Sequence, residues 1–341
     1  MTADLDVLPT PTTLAGLPLS SHFVMAPMTR KRSPGGVPTA EVAAYYRRRA
    51  AGGVGLIITE GALVGHRSAS HEADVPRMTP GPAEAGWRLV TDAVHEAGGR
   101  IAAQLWHLGS EREPIDGYPA WTPDTMRGRD FGVLLQAYAE SARIAVDAGF
   151  DAVEIHGAHG YLLDEFLWPR TNRRTDRYGG RARGRATFPV EVIRAVKAEL
   201  PATMPLIVRF SQFKERDYAA RIAETPAELE SILTAFAGAG ADVLHASQRR
   251  FWEPAFPGAT ENLAGWAKRL TGLPTITVGS VGLTREFPER EDLLKRYANG
   301  EFDLVALGRI LLANPDWVRL APAGRMDEIH DYRKADEDIY Y

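Results

Sequence analysis

The stretch HFVMAPMTRKRSPGGVPTAEVAAYYRRRAAGGVGLIITEG, residues 22–61, holds one complete strand–helix–strand unit and decides what kind of sheet the chain builds. It opens on a short apolar run (22–28), passes through a segment with helical spacing that stops at glycines (39–53), and returns to a β-branched run (55–61). Both runs are apolar on both faces, as strands of a helix-covered parallel sheet must be. No G-x-G-x-x-G follows the first strand, which reads VMAPMTR, so the signature of an open dinucleotide-binding sheet is missing.

The same unit recurs outward from this stretch. Further strands are expected at RIAAQLW (100–106), DAVEIHG (151–157), PLIVRFS (205–211), DVLHAS (242–247), TITVGS (275–280) and LVALGR (304–309), making eight. Helical spacing fills 85–99, 131–150, 188–200 and 225–241; the last opens on a capping box, Thr225 with Glu228, and NPDWVRL (314–320) is expected to start a helix at Asn314. Eight strand–helix units with no composition break predict a single (β/α)₈ TIM barrel over 1–341, with its core at about 20–320. Two long βα loops interrupt the rhythm, 107–130 after strand three and 158–187 after strand four. In a barrel such loops lie on the catalytic face.

Composition narrows the function classes. The chain has 341 residues, 25% charged, with a formal net charge of −4. A mildly acidic surface has no footprint for nucleic acid. No stretch approaches the roughly 20 apolar residues of a membrane span, and the opening MTADLDVLPTPTTLAG has neither the basic nor the apolar segment of a leader, so the expected location is the cytoplasm. The chain contains no cysteine, which excludes disulfides, thiolate metal sites and a cysteine nucleophile.

Polar residues and glycines gather where these strands end. Thr29, Gly61, Gln104 with Trp106, His156 with His159 and Tyr161, Arg209, Gly279 with Ser280, and Gly308 with Arg309 all fall there, and together they imply one pocket. Two imidazoles and a phenol suit a site that holds a carbonyl oxygen while a proton is delivered nearby. His-x-x-His also permits a metal reading, but no HExxH accompanies it, and no metal is expected. The glycines at strands seven and eight, with Arg309, lie where barrels often bind phosphate. Arg209 stands in an otherwise apolar strand; it either pairs with a barrel carboxylate such as Glu60 or Glu154 or sits beside an electron-rich cofactor ring.

At this point the residues resemble a family. APMTR, YYxRRA, QLWHLG, HGAHGYLLDEFL with TNRRTDRYGG, VRFS, and LGR with NPD occur in the order found in old yellow enzymes, from about residue 10 to about residue 320. The resemblance implies an FMN-containing ene reductase that takes hydride from NADPH or NADH and reduces an enone- or enal-type small molecule. It further implies that Pro27, Met28 and Thr29 lie against the flavin, that Gly61 and Gln104 contact its ring, and that Arg209 faces N1 and O2. Gly279, Ser280, Gly308 and Arg309 would hold the phosphate, His156 and His159 the substrate carbonyl, and Tyr161 would be the proton donor. Trp106, Phe251 and Trp252 are expected to wall the substrate pocket, and relatives of this kind often self-associate.

The chain departs from the pattern in places. Thr29 stands where one subgroup has cysteine, while the histidine pair resembles that same subgroup. Arg183-Gly184-Arg185 replaces the ENR common after YGG and is expected to change salt bridges; strand five continues SQFKERDYAAR instead of a Pro-Tyr-Gly-like turn. An amine dehydrogenase or demethylase on the same barrel, a metal-dependent barrel hydrolase and an idle flavin-binding protein stay open as alternatives.

Overall fold

The computed structural model of the chain describes residues 5–340, so the first four residues of the opening segment and the last tyrosine of the tail lie outside the described residues. Eight parallel strands close into a barrel: β1 (Phe23–Met25), β2 (Leu56–Val64), β3 (Arg100–Trp106), β4 (Ala152–His159), β5 (Leu206–Lys214), β6 (Val243–Ser247), β7 (Thr275–Val278) and β8 (Leu304–Leu307). Each strand pairs with its sequence neighbour, and β8 pairs with β1 to complete the circle, with Val305 opposite Phe23 and Leu307 opposite Met25. The strands carry Val, Ile, Leu and Ala at buried positions, and the helices α1 (Ala40–Ala51), α2 (Pro82–Glu96), α3 (Gly128–Asp147), α4 (Thr187–Glu199), α5 (Pro226–Ala237), α6 (Leu263–Thr271) and α7 (Arg290–Ala298) cover them outside. Among the described residues no helix is long and apolar enough to cross a membrane.

The N-terminal end of the barrel is plugged. A two-stranded hairpin, Thr12–Leu14 with Leu17–Leu19, presents Leu14, Leu17 and Leu19 to the residues that begin the strands, among them Val24, Leu56, Ala102, Ala152 and Ile207. That leaves only the opposite end open, and chemistry is confined there. Expected helix starts are partly kept. The Thr225 hydroxyl accepts from the Glu228 amide at 3.3 Å. Asn314, however, does not cap the helix Trp317–Leu320, which begins after Asp316. Its amide is used elsewhere: Nδ2 donates to the His330 carbonyl at 2.8 Å and Oδ1 accepts from the His330 amide at 3.1 Å, anchoring the C-terminal extension.

Trp317 shows how the last βα segment is fixed to the barrel. The ring is fully buried, meets Phe23 of β1 edge-on at 5.6 Å, and fills the space where a side chain at Gly282 would stand. Truncation of so large a buried ring leaves a cavity that rigid neighbours cannot close. Trp317→Ala is therefore expected to lower unfolding stability by about 3–5 kcal/mol, read from chemical denaturation of the purified protein.

Candidate active site

The open end of the barrel is shaped by irregularities in two strands. The β2–β3 register shifts between Ile58 and Gly61, and the β4–β5 register shifts between Gly157 and His159. Bulges of this kind re-aim the residues that follow them. At Gly61 a Cβ would lie 2.6 Å from the Trp106 ring, so glycine is what lets that indole lie against β2. After the second bulge the chain turns through two consecutive left-handed residues, His159 (φ 67°) and Gly160 (φ 94°), before the short helix Leu162–Leu167. A histidine in that conformation needs outside support. The support is Asp164, whose Oδ2 accepts from the Gly160 amide at 2.7 Å and pairs with Lys214 Nζ at 2.6 Å. Both side chains are buried, and burial pushes the Asp164 carboxyl up to about 6 against the pull of Lys214.

This turn projects three rings together. Tyr161 meets Trp106 and His156 edge-on, at 4.9 Å each, and the two imidazoles lie perpendicular with centroids 5.3 Å apart. Burial, reinforced by the nearby Arg209 cation, holds both histidines well below their ordinary range, so they are neutral. His156 Nδ1 accepts from the Ala158 amide at 3.3 Å, which leaves its N–H on Nε2. Ser247 Oγ accepts from Arg209 Nη2 at 3.3 Å and lies 2.8 Å from His159 Nε2, so this hydroxyl bridges the cation and the second imidazole. Burial, with Glu215 and Glu111 adding to it, holds the Tyr161 phenol protonated well above its usual range.

Arg209 is the cation at the floor of this site. It is buried, its Nε has no hydrogen-bond partner, and among the described residues no carboxylate lies within ion-pairing distance of it. Of the two readings of Arg209, the pair with Glu60 or Glu154 does not form: Glu154 is engaged on both oxygens, and Glu60 keeps an unpartnered Oε1 outside ion-pairing distance. Glu154 accepts from Gln104 Nε2 at 2.7 Å and lies 2.6 Å from His245 Nδ1. Glu60 Oε2 accepts from the Arg30 and Lys31 amides at 2.8 and 3.1 Å, pinning the turn that follows Thr29, and burial pushes it up to about 7. The Glu60 amide in turn donates to Tyr46 of α1 at 2.8 Å.

Pro27, Met28, His159 and Arg209 border both lobes of one continuous cleft, of about 610 and 770 Å³. Thr29, Gly61, Gln104, Trp106, His156 and Tyr161 line the larger lobe; Gly279, Ser280, Gly308 and Arg309 line the smaller. Phe251 and Trp252 line neither. Phe251 is fully buried, its amide donating to the Gly279 carbonyl at 3.0 Å, so it backs the anion-facing loop instead of walling the pocket; the Trp252 ring packs edge-on against it. A Cβ at Gly279 would stand 2.8 Å from the Phe251 nitrogen, which makes that close backbone approach a glycine requirement. Arg185 donates to the carbonyls of Leu167, Gly180 and Ile222 at 2.7, 2.9 and 3.0 Å, joining the β4–α4 and β5–α5 connections through backbone acceptors, and pairs with no carboxylate among the described residues. Among the described residues no group of three or more His, Asp and Glu is placed to hold a metal ion.

An uncompensated cation beneath an open cleft, with a glycine-bordered basic lobe at one end, suits an anionic ring system carrying a phosphate; fold and site together define a flavin-nucleotide oxidoreductase. The profile of the NADH:flavin oxidoreductase / NADH oxidase family matches residues 8–328, and the chain belongs to that family, the old yellow enzymes. It is 33% identical to the NADH oxidase of Thermoanaerobacter brockii over 93% of its own length, spanning half of that protein. It is 32% identical to a probable flavin mononucleotide-dependent alkene reductase of Leishmania infantum, over 94% of this chain and 91% of that one. Morphinone reductase in complex with tetrahydroNAD superposes with a TM-score of 0.83 at 28% identity, covering 97% of this chain and 93% of that chain. FMN is the family's cofactor and NAD(P)H its reductant.

The turn that carries the rings depends on one ion pair. Asp164→Asn removes its anion and leaves Lys214 charged and buried, which is expected to lower stability by about 3–5 kcal/mol. Denaturation of the FMN-free and FMN-bound forms checks this, and a loss below about 1 kcal/mol would mean that the pair does not support the turn.

Proposed function

We propose that the chain reduces the C=C bond of α,β-unsaturated ketones and aldehydes, using NAD(P)H through bound FMN. The observation that carries this reading is the convergence of two neutral imidazole N–H donors and a protonated phenol on the cleft above Arg209. FMN, once reduced by NAD(P)H, supplies the hydride that the substrate β-carbon accepts.

The chain's own residues then have separable tasks. Arg209 would stabilise the negative charge that the flavin gains on reduction. Gln104, oriented by Glu154, would help hold the ring with Gly61, and Pro27, Met28 and Thr29 would support it from the turn after β1. Gly279, Ser280, Gly308 and Arg309 hold the phosphate. His156 and His159 donate to the carbonyl oxygen, and because both are neutral they stabilise a developing enolate without carrying a charge of their own. Tyr161 gives its phenolic proton to the α-carbon. Trp106 forms the wall behind Tyr161 and His156. A reaction that consumes NAD(P)H argues for a cytoplasmic site, where that nucleotide is regenerated.

Tyr161→Phe is expected to keep FMN and leave reduction by NADPH within twofold, while reoxidation by 2-cyclohexenone slows about 100-fold, the lower end of the range for a lost general acid. Stopped-flow measurement of the two half-reactions separates these effects, and unchanged reoxidation removes Tyr161 from the acid role. His156→Ala combined with His159→Ala is expected to abolish the charge-transfer band that a phenol forms over oxidised flavin; a band of parental strength would refute the carbonyl clamp.

A further inference from the structure

Each reduction of an alkene consumes one proton from solvent, and on the reading above that proton leaves the enzyme from Tyr161. The phenolate left behind lies in the fields of Glu215 and Glu111 and of Arg209 and Arg216, beside the Trp106 and His156 rings, and it has to be reprotonated before the next substrate is reduced.

Tyr161 also borders a side chamber of about 220 Å³ that adjoins the larger lobe, sharing Glu111, His159, Glu215 and Arg216 with it; Ser110, Glu165, Trp168, Lys214 and Asp217 line the rest. Glu165 follows Tyr161, the N-cap of the short helix, by four residues; its amide donates to the Tyr161 carbonyl at 2.9 Å, and both side chains line this chamber. It is 1% exposed; Oε1 accepts from the Ser110 amide at 2.8 Å, and Oε2 has no partner. Gly109, with φ 64°, leaves the room that this oxygen occupies, since a Cβ there would approach it to 2.7 Å. The charged groups around it do not supply a counter-cation. Lys214 is engaged by Asp164, and Arg216, at the rim, is engaged by Glu111 at 2.5 Å, while Asp164 and Glu111 add negative potential. Burial pushes Glu165 up to about 8 against the hydrogen bonding of Ser110, with Asp164 and Glu111 adding a smaller upward push. The carboxyl therefore carries a proton at neutral pH, beside a phenol that loses one each turnover. Transfer from such an acid to a phenolate whose own acid lies far higher is downhill.

A purely structural role, holding the loop at Ser110, needs only an acceptor at Oε1, which a glutamine would supply equally well. The unpartnered second oxygen is what that role leaves unexplained.

We propose that this chamber is the proton-return route of Tyr161 and that Glu165 hands the proton on. The Glu165 O–H bond breaks, water in the chamber carries the proton, the Tyr161 O–H bond re-forms, and the Glu165 carboxylate is reprotonated from solvent between Glu111 and Asp217. No electrons move in these steps. The proposal rests on Tyr161 being the acid.

Glu165→Gln keeps the acceptor for Ser110 and removes the transferable proton. The FMN-loaded, prereduced variant is mixed with excess 2-cyclohexenone in weak buffer containing a pH indicator, and flavin absorbance and proton uptake are followed together. We expect flavin reoxidation within twofold of the parent, with uptake of the one proton per flavin delayed at least tenfold. In the parent, uptake should slow as pH rises through about 8, the value to which burial moves Glu165, and the variant should lack that dependence. Infrared difference spectra should show a protonated-carboxyl band at pH 7 that the variant loses. Uptake that keeps pace with reoxidation in the variant overturns the proposal. So does an equal slowing of both, which would mean the change damages Tyr161 instead of its resupply. Parental reoxidation in Tyr161→Phe would instead bring down the acid assignment itself, and so separates that failure from this one.

Discussion

A buried guanidinium with no carboxylate to neutralise it is the constraint around which this molecule is arranged. Arg209 sits at the C-terminal mouth of the barrel with Nε unpartnered, and among the described residues the one side-chain oxygen it hydrogen-bonds is the hydroxyl of Ser247. Leaving a cation in such a place is costly unless something anionic completes it. The carboxylates whose fields reach it, Glu154 and Glu215, make no ion pair with it, and Glu154 is engaged by Gln104 and His245. Burial, with the Arg209 cation adding to it, keeps His156 and His159 neutral, which fixes what those rings can donate.

Holding that arrangement requires rigid supports outside the cleft, and much of the family's sequence signature turns out to provide them. In the YYxRRA segment, Tyr46 receives the Glu60 amide, and Arg49 donates to the Leu311 carbonyl at 2.9 Å, tying α1 to the segment after β8. Tyr45 stacks on Tyr340 at 4.5 Å, so the C-terminal extension is fastened to the same helix. In the YLLDEFL segment, Asp164 holds the left-handed turn through Gly160. The leucines and phenylalanine around it are buried in the core, which fixes the helix that carries both Asp164 and Glu165.

The eight strands were readable because each is apolar on both faces, a pattern that parallel strands alone demand. Their ends were less so. β2 runs on through Ala62–Val64 and β4 to His159, because pairing resumes beyond the register shifts that precede Gly61 and follow Gly157 and that no local period announces. The hairpin at 12–19 escaped notice because two three-residue strands have no period to detect. The cleft-facing residues of the strand ends were legible as a set, since polarity at those positions has no packing explanation. What was illegible depends on pairing across the fold. Nothing local says that Lys214 finds Asp164, that Ser247 bridges Arg209 and His159, or that Phe251 turns inward behind Gly279.

The proposed place for FMN rests on Arg209 and the lobe bordered by Gly279, Ser280, Gly308 and Arg309, and a bound flavin is directly visible. The decisive measurement is the visible absorption spectrum of the purified protein before and after anaerobic NADPH, with NADH in parallel. An oxidised-flavin spectrum that bleaches on reduction, and is restored by an enone, is the result expected. A colourless protein that takes up no added FMN would contradict the account at its centre, because the buried cation would then lack the anion that explains it.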